Sequence, residues 1–307
     1  MSLLSFKRPV NIERHITVPR EVSALMEDYS IEVMPRTAAK VDDFTALLPQ
    51  DTRVYVAHIA GTPISEMVET AARLARDGMQ VVPHFPARII QDRAMLADWI
   101  ARYQGEAGVD QALVLAGGVK DAEGAFDSSM QLLETGCFDG FKHLFIAGHP
   151  EGNRDIDPNG GEEIVMNALR WKQNFSRQSG IPMSIVTQFA FAADPVTQWL
   201  ERLAENDISM PVNLGVAGPA KLQTLIRFAI ACGVGPSLSV LQKRARDVSK
   251  LVRPFTPDDL VRDLAQYKST YPETALKSLH FFPLGGITTN ANWALAQTNA
   301  NSAIPAQ

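Results

Sequence analysis

Cysteine is nearly absent from this 307-residue chain: Cys137 and Cys232 stand far apart and form no C-x-x-C pair. A disulfide framework and a thiolate zinc site are therefore not expected, and a reducing, cytoplasmic setting fits. Histidine is also scarce. The six, at positions 15, 58, 84, 143, 149 and 280, lack the i, i+4 spacing of a helix-borne metal site, and no metal is expected. Positive charge is in deficit. A net charge of −5 and a pI near 5.7 give no field to gather phosphate backbones or anionic lipid, so neither nucleic acid nor a membrane is an expected partner. No apolar run reaches the ~20 residues of a membrane helix, and MSLLSFKRPVNIERH acquires charges too early for a signal peptide. The basic stretch 243–253, KRARDVSKLVR, alternates with apolar residues at helical spacing and reads as a solvated helix face. No G-x-G-x-x-G or Walker loop is present.

What the sequence does have is a repeating phase. Hydrophobic residues make up 46% and charged residues 21%, an ordinary globular mixture. Eight short β-rich runs recur: SIEVM (30–34), RVYVA (53–57), QVVPHF (80–85), QALVLA (111–116), KHLFIA (142–147), MSIVTQF (183–189), PVNLG (211–215) and SLHFF (278–282). Amphipathic stretches predicted as helices fall between them, at 63–77, 92–104, 122–135, 161–179, 195–206, 217–232 and 256–271. Thr62-Pro63, Asp194-Pro195 and Thr256-Pro257 each place a capping oxygen before a proline suited to a first helical turn. Alternating βα units imply a parallel sheet, and eight evenly spaced strands favour a closed (β/α)8 TIM barrel over an open doubly wound sheet. The expected layout is an N-terminal arm or helix at 1–29, a catalytic barrel at 30–294 and a flexible tail at 295–307, with an extra helix at 237–252. A homo-oligomer is a further expectation, since such barrels commonly assemble.

In a barrel of this kind the reactive groups come from the C-terminal strand ends. Those ends are polar here: Glu32, His58, His84, Gly117-Gly118, His149-Pro150-Glu151-Gly152, Gln188, Asn213 and Thr288-Thr289-Asn290. Glu32, between Ile31 and Val33, points either to solvent or into the barrel mouth. Buried there, it would have a raised pKa and could serve as a general acid. His84 by itself reads more readily as a hydrogen-bonded structural histidine than as a catalyst. The glycines let backbone amides approach a ligand closely.

At these strand ends the chain resembles the methylenetetrahydrofolate reductase family over nearly the whole barrel. The pieces are IEVMPR in the first strand, VVPHF in the third, L-x-L-x-G-G in the fourth, A-G-x-P-E-G in the fifth, T-Q-F-x-F followed by Asp194 in the sixth, and H-F-F-x-L in the eighth. The resemblance implies reduction of methylenetetrahydrofolate to methyltetrahydrofolate with NADH or NADPH through bound FAD, the folate being the small-molecule partner. It makes Glu32 the general acid and Gln188 a catalytic contact to folate. Phe191, Asn213 and Phe282 then join Gln188 in holding the substrate. His58, His84, Gly117, Gly118, Ala147, His149, Arg170 and Lys172 would hold FAD, the two cations facing its pyrophosphate unless they form a solvated helix face.

Three departures stand against a simple transfer of that picture. The family's Arg-Gly-Asp after the fourth strand is Ala116-Gly117-Gly118, its second-strand Thr-Tyr is Ala57-His58, and GVAGPAKLQ offers no aromatic after the seventh strand. Direct hydride transfer without flavin, the same reaction run oxidatively, and a non-catalytic folate-binding barrel are the alternatives.

Overall fold

The computed structural model describes residues 18–231 and 254–298. Eight strands run β1 (Ser30–Val33), β2 (Arg53–Val56), β3 (Gln80–Pro86), β4 (Gln111–Leu115), β5 (His143–Gly148), β6 (Met183–Ala190), β7 (Val212–Ala217) and β8 (Leu276–Phe282). They pair in parallel and in chain order, and β8 closes on β1 through Ser30 opposite His280 and Ile31 opposite Phe281. The expected eight-stranded barrel is therefore present.

Alternation along each strand creates two separate apolar bodies. Outward residues such as Ile31, Val54, Val114, Ile146, Ile185 and Leu214 join the large core beneath the helices. Inward residues Tyr55, Val82, Leu113, Phe145 and Val186 pack on one another and plug the middle of the lumen.

The helices are α1 (Arg20–Met26), α2 (Pro35–Ala38), α3 (Ile64–Arg76), α4 (Arg93–Ala107), α5 (Ser129–Glu134), α6 (Glu163–Ser179), α7 (Ala193–Glu205), α8 (Leu222–Ala231), α9 (Asp258–Thr270) and α10 (Ile287–Thr298). None of the described helices is long and apolar enough to cross a membrane. The stretch expected as a helix at 122–135 is helical only in α5. Its first half pairs instead with the backbone after β3, where Glu123 N–H donates to Arg88 O (2.8 Å) and Ala125 N–H to Gln91 O (2.8 Å). Gly124 permits that approach, since a Cβ there would overlap the Gln91 backbone. The expected threonine and aspartate caps are also corrected. Pro63 and Pro257 themselves occupy the N-cap positions of α3 and α9 without a side-chain cap, and Asp194 sits inside the first turn of α7.

The first and last described helices pack on each other and on the barrel wall. Helix α10 runs past position 295 and ties itself to α9, with Trp293 Nε1 and Gln297 Nε2 both donating to Asp258 Oδ1. Ser23 of α1 donates to Gln297 O (3.3 Å), so α1 packs beside the last helix. The helix expected at 237–252 and the basic stretch at 243–253 lie outside the described residues.

Between β6 and β7 the pairing slips, with a register shift between Val186 and Phe189. Gly215 makes the slip possible. Its N–H donates to Thr187 Oγ1 (2.8 Å), and a Cβ would collide with the carbonyl oxygens of Thr187 and Gln188. Gly215→Ala should therefore lower stability by about 2 kcal/mol or more, because backbone rather than a flexible side chain has to move. Urea unfolding checks this. A midpoint unchanged from the parent protein would contradict the close approach.

Candidate functional site at the C-terminal end of the barrel

Because Ile31 and Val33 face the helices, Glu32 turns into the lumen. Its Oε2 lies 3.5 Å from His84 Nε2 and 3.8 Å from His280 Nε2, beyond good hydrogen bonds but within strong Coulomb range. Ser30 Oγ is 2.9 Å from His280 Nδ1 and fixes that ring from behind. Tyr55 meets His280 edge to face at 4.5 Å and His84 at 6.3 Å. The hydroxyl of Tyr55 and the Nε2 atoms of His84 and His280 are buried with no hydrogen-bond partner. Two imidazole nitrogens thus face one carboxylate, both with bonding capacity left.

The expected upward shift of Glu32 is corrected. Burial pushes its carboxyl up, but the contact with His280 and the fields of His84 and His280 outweigh it, leaving it below the ordinary carboxylate value. The apolar sequence neighbours point away, and the neighbours that matter are imidazoles from β3 and β8. His84 is driven down to about 4, chiefly by burial, against the pull of Glu32. An ionised carboxylate beside a neutral His84 is the arrangement this produces.

A second polar group stands at the ends of β5 and β6. Half-buried His149 follows β5, hydrogen-bonds Gln188 and has its pKa lowered to about 4 by burial and by Lys172. Lys172 is buried, and desolvation brings its ammonium down to about 8. Half-buried Ala147 lies two residues before His149, in β5, opposite Val186. The expected residues Gln188, His149, Ala147 and Lys172 are therefore brought to one sector. Arg170 is not. It is exposed on the outer face of α6 and donates to Asn167 Oδ1 (2.6 Å) and Asn206 Oδ1, so for this residue the solvated helix face is correct.

An aromatic wall completes the mouth. Phe189 contacts both Phe191 (5.5 Å) and Phe282 (5.3 Å), and Phe282 meets His280 at 4.9 Å. Phe255 joins them at 5.7 Å from Phe191, carried there by a two-residue bridge in which Ala220 and Phe255 exchange backbone hydrogen bonds. The aromatic missing after the seventh strand is thus supplied from far along the chain.

Two other expected contacts lie elsewhere. His58 is packed on Trp99 (4.7 Å, nearly parallel), with Nε2 3.0 Å from Thr62 O. Asn213 is the second residue of β7 and lies at the opposite, N-terminal end, where it accepts from Ser278 Oγ (2.6 Å). The strand extends two residues beyond the expected boundary, and that extension moves Asn213 away from the mouth. Gly117 has φ of +99° and a Cβ there would touch Pro86 at 3.0 Å, so it and Gly118 mark a close turn after β4. His280, Ser30 and Tyr55 were not singled out by the sequence, although stepping by two from Glu32 and Phe282 reaches the first two.

These residues fit FAD poorly. With Arg170 facing outward, Lys172 is the one buried cation of the set for a diphosphate. The N-terminal amides of α6 are also taken, since buried Asp157 accepts from Ile164 N–H (3.0 Å) and Val165 N–H (3.2 Å). Among the described residues no group of three or more His, Cys, Asp or Glu could hold a metal ion.

No family model matches the sequence. In three dimensions the chain is similar to an uncharacterized protein from Clostridium thermocellum that binds two copies of 5-methyl-5,6,7,8-tetrahydrofolic acid. That likeness has a TM-score of 0.53 and 11% identity and covers 90% of this chain and 97% of the other. A more distant likeness, at a TM-score of 0.39 and 15% identity, is to the intracellular xylanase TsXylA from Thermoanaerobacterium saccharolyticum, over 88% of this chain and 90% of that one. At 11% identity the Clostridium thermocellum likeness speaks to the shared fold alone.

The buried histidines make stability depend on pH in a defined direction. His84, His143 and His149 are each held near 4 against an ordinary 6.5, so the unfolded chain binds protons between those values that the folded chain refuses. Their contribution is complete above pH 6.5 and is lost as pH falls toward 4, and Glu32, also lowered, acts in the same sense. Thermal melts followed by circular dichroism should show the midpoint falling across that window. A midpoint that stays flat from pH 7 to about 4 would refute the neutral assignment.

Proposed function

We propose that the protein is an oxidoreductase of one-carbon tetrahydrofolates that interconverts the 5,10-methylene and 5-methyl forms with NADH or NADPH. The observation that carries this reading is the Glu32 carboxylate set in the lumen between His84 and His280. Opening the methylene bridge leaves a cationic iminium at N5 and requires a proton at N10, so the site has to favour a cation and supply a proton together. The strand-end motifs support the same substrate, as does the folate bound by the Clostridium thermocellum barrel.

In the reducing direction the bond between the bridging carbon and N10 breaks, N10 takes a proton, and nicotinamide C4 gives a hydride to the exposed carbon. The products are the 5-methyl folate and the oxidised nicotinamide. Glu32, ionised at rest beside His280, takes a proton from solvent as the folate binds, passes it to N10 as the bond to the bridging carbon breaks, and its restored charge then stabilises the iminium. Ser30 orients that ring through Nδ1. The pterin stacks on the wall of Phe189, Phe191, Phe255 and Phe282, whose faces are suited to a flat heterocycle. Gln188, steadied by His149, offers amide hydrogen bonds to its edge. Lys172 is placed to meet an anionic part of either substrate.

No step is routed through a flavin. The outward Arg170, the packed His58 and the occupied α6 terminus support direct transfer from nicotinamide to folate.

The purified protein is therefore expected to be colourless and still to oxidise NADH or NADPH when methylenetetrahydrofolate is added. Flavin absorption bleached by NADH and restored by the folate would overturn direct transfer, and no folate-dependent turnover at all would overturn the reductase reading. Glu32→Gln should lower kcat by about 10²-fold or more with little change in nicotinamide affinity, the scale expected for a lost proton donor. His280→Asn should show a smaller loss with an altered pH profile. Equal losses in kcat and in nicotinamide binding for Glu32→Gln would refute its assigned role.

A further inference from the structure

The opposite mouth of the barrel holds a second cavity, of about 470 Å³, that the proposed chemistry does not use. Its inner wall is polar and comes from the first inward residues of the strands: Arg53, Gln80, His143, Ser184, Asn213 and Ser278. The plug of Tyr55, Val82, Leu113, Phe145 and Val186 lies between this wall and the Glu32 site. Arg53 is its one charged member, and it is uncompensated. Its guanidinium reaches only the neutral amide oxygens of Gln80 and Gln111, both at 3.4 Å, and lies 5.3 Å from the centre of the Phe145 ring. No carboxylate of the described residues pairs with it. His143, 2.9 Å from Ser184 Oγ, is held neutral by burial and by the Arg53 charge, so it does not compete for an anion.

The rim has the other sign. Glu27, Asp28 and Asp51 line it, against Lys277 alone. A planar guanidinium at the back of a pocket matches a carboxylate in a two-pronged hydrogen bond, while an acidic rim repels a second negative charge and favours a cation. The volume falls in the range of small-molecule pockets. From this polarity we infer that the N-terminal mouth binds a small zwitterion of the amino-acid class, its carboxylate on Arg53 and its ammonium at the Glu27, Asp28 and Asp51 rim.

The site and its test are independent of the folate reading. Full-length protein is titrated by calorimetry, with thermal shift in parallel, using each proteinogenic amino acid and glycine betaine, with acetate, succinate and inorganic phosphate as comparison anions. At least one zwitterion should bind and raise the melting temperature. Arg53→Met should weaken it about tenfold or more, as expected for loss of a charge-assisted pair. The rim variant Glu27→Gln/Asp28→Asn, at two exposed positions, should weaken the zwitterion severalfold and leave acetate unchanged or tighter. Glu32→Gln should leave the binding intact. Should Arg53→Met fail to fold, Arg53→Lys and the rim variant decide. The proposal is overturned if no zwitterion binds, if binding survives both Arg53→Met and the rim variant, if succinate or phosphate binds tighter than every zwitterion, or if Glu32→Gln abolishes binding and so places the ligand at the other mouth.

Discussion

A strand in a closed parallel barrel can send only every second side chain into the lumen, and here that constraint arranges the Glu32 cluster. Glu32, Tyr55, His84 and His280 are inward residues of β1, β2, β3 and β8, and closure of β8 on β1 brings them together. An open sheet would leave β1 and β8 at opposite edges and Glu32 without one of its two imidazoles. The same alternation builds the apolar plug at mid-height. Polar groups above it and below it therefore face different mouths.

The choice of imidazoles as partners for the buried carboxylate has consequences of its own. An arginine or lysine at hydrogen-bonding distance would hold the carboxylate ionised permanently and add a positive charge opposed to any cationic intermediate. Histidines lower the cost of ionising Glu32 while remaining able to give up or accept a proton. The distances of 3.5 and 3.8 Å leave the carboxylate oxygens and both Nε2 atoms with unused hydrogen-bonding capacity. A site with every polar atom satisfied internally would have nothing to offer a substrate.

Much of the frame was legible in the sequence because period-two runs and helical runs alternate along most of the chain. Eight strands and their order follow from that phase, whereas it left open whether Glu32 turned inward or to solvent. What periodicity could not supply was height along a strand. PVNLG reads as a strand ending at Gly215, but β7 continues to Ala217, and those two residues, close to 7 Å of rise, move the mouth away from Asn213, the second residue of the strand. Arg170 and Lys172 present the parallel case on a helix. Residues two apart do not share a face, so one could face the barrel only if the other faced water. Phe255 was beyond reach for a different reason. It arrives through a bridge to Ala220 across 35 positions, and no local pattern encodes that. The direction of the Glu32 shift was likewise hidden, because its neighbours in the chain are apolar and its neighbours in space are not.

The charge layout also bears on how a hydride could be delivered. A flavin dinucleotide brings a diphosphate that needs convergent cations or free helix amides. At the β5–β6 sector one cation is buried, one faces solvent, and the α6 amides already donate to Asp157. Asp157 is the informative residue. A structural carboxylate at a helix start satisfies the same donors that a phosphate would use, and removing it from a buried position would strand two N–H groups. The fold has thus committed that terminus to its own stability. Among the described residues the mouth offers an aromatic wall and the Glu32 cluster, which under the proposed reading would stack two flat rings and manage one proton. A hydride passing between those two rings needs nothing further from the protein than their alignment.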